Sequence, residues 1–369
     1  MPPRVLLDAT PLGGPHSRRG IGTYVRGLID GFRQLEAEQR PSLLVRDDCP
    51  ASELFVQYPI HMTEWGFRWY PDPRTRRRGE KRIAELRPRL VHATQTTLVP
   101  SGPALVATCH DLIPLRFPDM YLRGAQLGHR REYQTYLARL KRARLVITPS
   151  TSTASDLASL AGIPSERIRV VPHGVPEGII PAVAGTDDPE SGSYVLYTQS
   201  LEPHKNVELA IEAIAHVRLP NVRLKLAGPW SRRRAARLQR LVQAHGVSDR
   251  VDLLGYVSEA ELNRLRAAAL ALIVPSLIEG FGLPALEAMA AGVPVLGSDA
   301  PGLVEVTGPD LPALPRLDPL PWARAIERLA TDPAERGRIA AMGLRRSERF
   351  RWVETARRTA EVYDEAMRV

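Results

Sequence analysis

Residues 271–299, ALIVPSLIEGFGLPALEAMAAGVPVLGSD, constrain this chain more than any other stretch. The apolar run 271–274 has the character of a buried strand and leads into Glu279-Gly280-Phe281-Gly282, a turn that needs small residues. Pro284 stands where a helix loses nothing by a missing N–H, and Leu283, Leu286, Met289 and Ala290 then recur at helical spacing. Gly292-Val293-Pro294 stops the helix and Val295-Leu296 opens another strand. This order predicts a βαβ unit whose turn aims backbone N–H groups at an anion. Glu279 and Glu287 flank the turn. One reading is a ligand that carries both phosphate and hydroxyls. The other is a structural unit in which Glu287 complements the helix dipole.

The same grammar recurs along the chain. Residues 4–9 read as a strand, 11–22 carry glycines at 13, 14, 20 and 22, and 21–32 place Ile21, Val25, Leu28, Ile29 and Phe32 on one helical face. The loop does not spell G-x-G-x-x-G, so a nicotinamide site is weakly supported and a lid over a phosphate is an equal reading. Further strands are predicted at 42–46, 60–63, 90–93, 105–109, 145–148 and 168–171, with helices near 75–87, 121–143 and 152–161. Residues 172–193 are rich in Pro, Gly, Ser and Asp and read as a linker. Strands at 194–198, 222–227 and 251–254 follow, with helices at 207–217 and 232–244 and a capping box at Ser258 and Glu261. Residues 321–369 are helical in pattern, broken at Phe350-Arg351-Trp352. The expectation is two α/β domains, 1–180 and 181–350, and a terminal helix, 351–369, packing back on the first.

Composition removes several classes. Cys49 and Cys109 stand far apart, which gives neither a disulfide framework nor metal-ligand spacing and suits a reducing cytoplasm. No apolar run reaches the roughly 18 residues of a membrane span. P-loop, G-x-S-x-G and H-E-x-x-H motifs are absent. The net charge of +9 is one-sided: residues 1–180 hold 26 Lys+Arg against 17 Asp+Glu, and the remainder 24 against 24. Arg74, Arg76, Arg77 and Arg78 head the basic stretch, which fits an anionic membrane, a phosphorylated substrate or a solvated surface; nucleic acid lacks an aromatic-interleaved patch. Lys205, in Glu-Pro-His-Lys-Asn between a strand and a helix, offers a mobile charge to phosphate. His110 follows a strand directly and is either functional or a turn residue beside a capping Asp111.

The opening stretch, together with LYTQSLEPHKNVELAIEA, HDLIPLRFPDMY, ITPSTSTASDL, RIRVVPHGV and FRWVETARRTAEVYDEA, closely resembles the retaining glycosyltransferases of family 4. That resemblance implies the GT-B fold: two Rossmann-like domains facing across a cleft, the first for the acceptor and the second for a nucleotide-sugar donor. It implies that Glu279 contacts the donor sugar near the transferred carbon and that Glu287 holds the ribose hydroxyls. Gly280, Phe281, Gly282 and Leu283 would offer backbone to the sugar, and Lys205 would meet the diphosphate. His110 would line the sugar and acceptor side, Gly13 and Gly14 the distal phosphate, and Val257 the base. Ser200 stands where many relatives carry a phosphate-binding Arg; His204 and Arg19 are candidate replacements. Likeness in HDLIPL and LEPHKN implies a mannosyltransferase-like subgroup and GDP-mannose, with no metal or other cofactor. A UDP-sugar transferase and a non-catalytic nucleotide-sugar-binding protein are the competing readings. The expected acceptor is a glycan, a lipid-linked oligosaccharide or a small molecule in polysaccharide biosynthesis. The expected location is cytoplasmic, with the basic half peripheral on the membrane's inner face.

Overall fold

The computed structural model describes residues 2–13, 20–49, 57–63, 73–95, 98, 100–123, 127–182 and 193–368. The chain forms two compact units, Met1–Pro176 with Phe350–Val369, and Glu177–Arg349.

The first unit contains β1 (Val5–Asp8), α1 (Gly20–Arg33), β2 (Ser42–Arg46), β3 (Ile60–Thr63), α2 (Pro73–Leu86), β4 (Leu90–Ala93) and β5 (Ala104–Thr108). It continues through α3 (Ile113–Arg116), α4 (Leu127–Leu140), β6 (Leu145–Thr148), α5 (Thr151–Ser159) and β7 (Ile168–Val170). The expected helix over 121–143 is instead a π-helical turn, Asp119–Arg123, followed by α4. The described strands form one parallel sheet in the order β3-β2-β1-β4-β5-β6-β7. β1, β4 and β6 are buried throughout, because helices cover both faces of a parallel sheet and leave no polar side. Alternation along each strand divides the core. Val5, Leu7, Leu43, Val106 and Ile147 pack with α1, whereas Leu6, Leu44, Val91, Ala107 and Val146 pack with Ile83, Leu140 and Leu157 of α2, α4 and α5.

The second unit runs β8 (Tyr194–Tyr197), α6 (Val207–His216), β9 (Arg223–Ala227), α7 (Arg232–Ala244), β10 (Val251–Gly255), α8 (Glu259–Ala267) and β11 (Ala271–Val274). Then come α9 (Leu283–Ala290), β12 (Val295–Ser298), α10 (Pro301–Thr307), β13 (Ala313–Leu314), α11 (Pro319–Thr331) and α12 (Pro333–Ser347). Its parallel sheet has the order β10-β9-β8-β11-β12-β13. The last helix, α13 (Trp352–Arg368), belongs to the first unit and buries Trp352, Ala356, Ala360 and Tyr363 against α1.

Each sheet reverses its strand order once, between β1 and β4 and between β8 and β11. In open α/β sheets, ligands collect beyond the carboxyl ends of strands at such reversals.

Candidate functional site

The reversal in the second unit is occupied by a buried ion pair. Lys205 lies in a 3-10 turn after β8, and Glu279 lies in the loop after β11. The Lys205 Nζ donates to both carboxylate oxygens of Glu279 at 2.8 Å. Gln199 Nε2 and Ser276 Oγ also donate to Oε1, at 2.6 and 2.7 Å. Glu279 is 6% exposed. Burial alone would raise its pKa, but the Lys205 charge, the Lys205 and Ser276 hydrogen bonds and nearby His204 together hold the carboxyl below its ordinary range. His204 is itself buried, and burial next to Lys205 pulls its imidazole down to about 4, so it is neutral at pH 7. Asn206, in the left-handed region at φ 51°, closes the turn. Its Nδ2 donates to the Pro275 and Arg316 carbonyls and ties the β8 loop to the β11 loop.

The turn before α9 is fixed by backbone. Gly282 has φ 109°, which a side chain would strain, and it precedes the helix start at Leu283. Gly302 on α10 faces the same turn so closely that a Cβ there would lie 2.1 Å from the Glu279 carbonyl oxygen. Glu287 is the fifth residue of α9, beyond the first turn, so the helix-dipole reading of this carboxylate does not hold. It is bound instead by Arg266 of α8, whose Nη2 donates to Oε2 at 2.6 Å. Ser200 accepts from Tyr197 Oη through its carbonyl, and Val257 lies beyond β10, the edge strand of the sheet.

In the first unit, Asp8 ends β1 with 1% exposure. Its Oδ1 accepts from the Thr10 amide and hydroxyl at 3.0 and 2.6 Å, while no described residue donates to Oδ2. Burial outweighs both Thr10 bonds and pushes this carboxyl up to about 6. Thr94, just beyond β4, donates to the Asp8 carbonyl at 2.7 Å and accepts through its own carbonyl from His110 Nε2 at 3.0 Å. A carbonyl only accepts, so the proton sits on Nε2 and Nδ1 carries the lone pair. Burial draws His110 down to about 4, which keeps that lone pair available at pH 7. Asp111 caps the following turn through the Ile113 amide, as the turn reading of the His-Asp pair expects. Gly13 closes a 3-10 turn after β1, and the space a Cβ would take is filled by Arg46 Cδ at 2.7 Å. Gly14 and Arg19 lie outside the described residues.

The structure therefore joins Lys205 to Glu279 directly, places His204 and the Gly280–Leu283 backbone in the same loops, and gives Glu287 a separate partner. His110 and Gly13 belong to the first unit. Gln199, Ser276, Arg266, Asp8 and Thr94 escaped the sequence reading. Ser276 stands three residues before Glu279 in one loop, a local signal; the others meet their partners only through the fold.

Two parallel α/β units with polar loops at their sheet reversals define the GT-B class of folds. The profile of Glycosyltransferase Family 4 matches residues 18–177, and that of Glycosyl transferases group 1 matches residues 184–345. The chain belongs to the glycosyltransferases of family 4. It is 30% identical over 266 residues to the serotype-specific mannosyltransferase WbdA of Escherichia coli, an alignment covering 68% of this chain and 32% of WbdA. It is 32% identical over 239 residues to the MMP alpha-(1->4)-mannosyltransferase of Mycolicibacterium hassiacum, covering 60% of this chain and 54% of that protein. The alignments thus span only a third to a half of these relatives' lengths. Sucrose-phosphate synthase from Thermosynechococcus elongatus superposes with a TM-score of 0.80 at 23% identity, covering 98% of both chains. Among the described residues no helix is long and apolar enough to cross a membrane.

Proposed function

We propose that this protein is a retaining glycosyltransferase that moves a hexose, mannose from GDP-mannose, to a hydroxyl of a glycan, a lipid-linked oligosaccharide or a small molecule. The observation that carries the reading is the buried Lys205–Glu279 pair at the β8/β11 reversal. An ammonium has three donors, and Glu279 engages two, so Lys205 retains a proton for a leaving diphosphate. As the glycosidic C–O bond breaks, charge grows on the diphosphate and is countered by Lys205 and the N-terminal amides of α9. Glu279, held ionised, faces the developing positive charge of the sugar. His110, neutral with its Nδ1 lone pair, accepts from a sugar or acceptor hydroxyl. The chemistry proceeds with fixed protein charges and without a metal. Likeness to the two mannosyltransferases supports mannose as the transferred sugar.

The test is transfer and slow donor hydrolysis with GDP-mannose beside UDP-glucose, in wild type and in Lys205→Ala and Glu279→Ala. Each variant should fold and lose about a thousandfold in turnover. Wild-type turnover in either variant overturns the site, and turnover with UDP-glucose alone overturns the donor. A cytoplasmic location on the inner membrane face accords with α2, where Arg74, Arg77, Arg78 and Lys81 are exposed. Reversing the charges of Arg74, Arg77 and Arg78 should abolish co-sedimentation with anionic liposomes; unchanged binding rejects the membrane contact.

A further inference from the structure

Glu287 is matched to a residue that the proposed reaction leaves unused. Arg266, on α8, has a side chain 3% exposed, and Glu287 on α9 is 20% exposed. Buried arginines are rare and costly, and an ion pair whose role is structural is often replaceable by apolar side chains without loss. This one is aimed with care. Arg266 Nη2 donates to Glu287 Oε2 at 2.6 Å and Nη1 to Asn263 Oδ1 at 2.7 Å. Asn263 Nδ2 in turn donates to the Gly178 carbonyl at 3.2 Å. Both ends of the Asn263 amide are committed in a single sense, which fixes the plane of the guanidinium fork.

Glu287 Oε1 accepts no hydrogen bond among the described residues, and Oε2 uses one of its two acceptor positions on Arg266. Each of the two carboxylate oxygens therefore keeps an acceptor position, enough for two adjacent hydroxyls. The carboxylate must be ionised for this, since a protonated oxygen becomes a donor. Burial raises this carboxyl above its ordinary range; Arg266 opposes the shift and the neighbouring Glu259 adds to it. Arg266 and Glu259, both on α8, are the charged groups that act on Glu287.

We propose that Arg266 is a positioning residue for the nucleotide ribose: it orients the Glu287 carboxylate so that both oxygens accept from the ribose diol. The inference rests on the reading of Glu287 as a donor-nucleotide contact. Arg266 does not touch the donor. It acts through Glu287, with Asn263 as its support, and it sets how strongly a ribonucleotide is preferred over its 2′-deoxy counterpart.

The experiment measures binding of GDP and 2′-deoxy-GDP, and of UDP and 2′-deoxy-UDP, by calorimetry from pH 6 to 8.5. It uses the full chain, Arg266→Met, Arg266→Lys and Glu287→Gln, with melting temperatures recorded for each. Wild type should prefer the ribonucleotide roughly tenfold, as expected for a hydrogen bond to a charged group, with little pH dependence. In Arg266→Met that preference should shrink to about twofold at pH 7 and recover as pH rises, since a carboxyl without its counter-charge ionises later. A packing role alone would weaken both nucleotides equally and at every pH. Lysine keeps the charge but lacks the planar fork whose two nitrogens meet Asn263 and Glu287 in a fixed geometry, so Arg266→Lys should give an intermediate preference with a flat pH profile. Arg266→Lys also keeps the test decisive if Arg266→Met fails to fold: a preference equal to wild type there rejects the positioning role. Glu287→Gln separates the two claims. If it keeps the full ribose preference, Glu287 is not the ribose contact and the underlying reading fails. If it loses the preference while Arg266→Met keeps wild-type preference and pH profile, the positioning role alone fails.

Discussion

Lys205 and Glu279 neutralise each other inside the protein, so removing one leaves the other's charge stranded. In Lys205→Met the buried Glu279 carboxylate loses the cation that holds its pKa below the ordinary value. Breaking a buried pair from one side costs about 3–5 kcal/mol. The sign of the pH dependence follows from linkage. In wild type, a depressed carboxyl contributes stability above its unfolded pKa and loses it as pH falls through the folded one. In Lys205→Met burial dominates, the carboxyl pKa rises above its unfolded value, and the penalty is relieved as pH falls. Denaturant unfolding should show a larger gap between the two proteins at pH 7.5 than at pH 4.5. A gap independent of pH would mean that Glu279 is not charged in the fold. Gly302 offers a second prediction. Alanine is the better helix former by about 1 kcal/mol, but its Cβ would sit 2.1 Å from the Glu279 carbonyl oxygen. The clash decides, and Gly302→Ala should lower kcat/KM at least roughly tenfold by displacing the 279–282 turn. Wild-type kinetics with a raised melting temperature would show that the turn tolerates the methyl.

Helices and strands were legible where their cause is local. Strand period, Pro284 and the Ser258 cap lie within a few residues of what they determine, and β2, β3, β4, β6, α7 and β11 fall where the pattern puts them. Packing of one helix on another was not legible, because its partners are distant. Gly27 and Gly31 weaken α1 as a helix when read alone. In the fold they form a groove for α13: a Cβ on Gly27 would lie 2.0 Å from Trp352 Cε2, and one on Gly31 would lie 2.2 Å from the Trp352 carbonyl oxygen. The buried chain from Tyr24 through Thr108 and His92 to Tyr363 joins the same helices through β4 and β5. Burial, with His110 nearby, lowers His92 to about 3, so it serves there as a neutral bridge. Trp352→Ala should cost about 3–5 kcal/mol and Gly27→Ala about 1–3 kcal/mol. Their costs should not add, since the methyl occupies space that the indole vacates. A double-mutant cycle with no coupling energy would refute this packing.

At the scale of the whole molecule, the chain leaves its first unit at Pro176, builds the second, and re-enters the first at Phe350. The Lys205–Glu279 contact spans 74 residues yet stays inside the second unit, as do Arg266 and Glu287. Sequence marked Lys205 as suited to a diphosphate and Glu279 as suited to a sugar, but not that they bond, because their adjacency comes from the β8–β11 pairing and from no local pattern. The first unit has the opposite dependence: its core includes Trp352, Ala356, Val362 and Tyr363 from the far end of the sequence. Deleting residues 352–369 should therefore unfold the first unit and spare the second. Scanning calorimetry of the truncated protein should retain a cooperative transition for the second unit alone. A nucleotide sugar at a hundred times its Kd should still stabilise that transition, by about 2.7 kcal/mol. Transfer should be lost, since His110 lies in the unit that unfolds. If truncation removes nucleotide binding as well, donor recognition depends on the first unit and the assignment of the donor site to the second is wrong. If both transitions survive, α13 is dispensable to the first core.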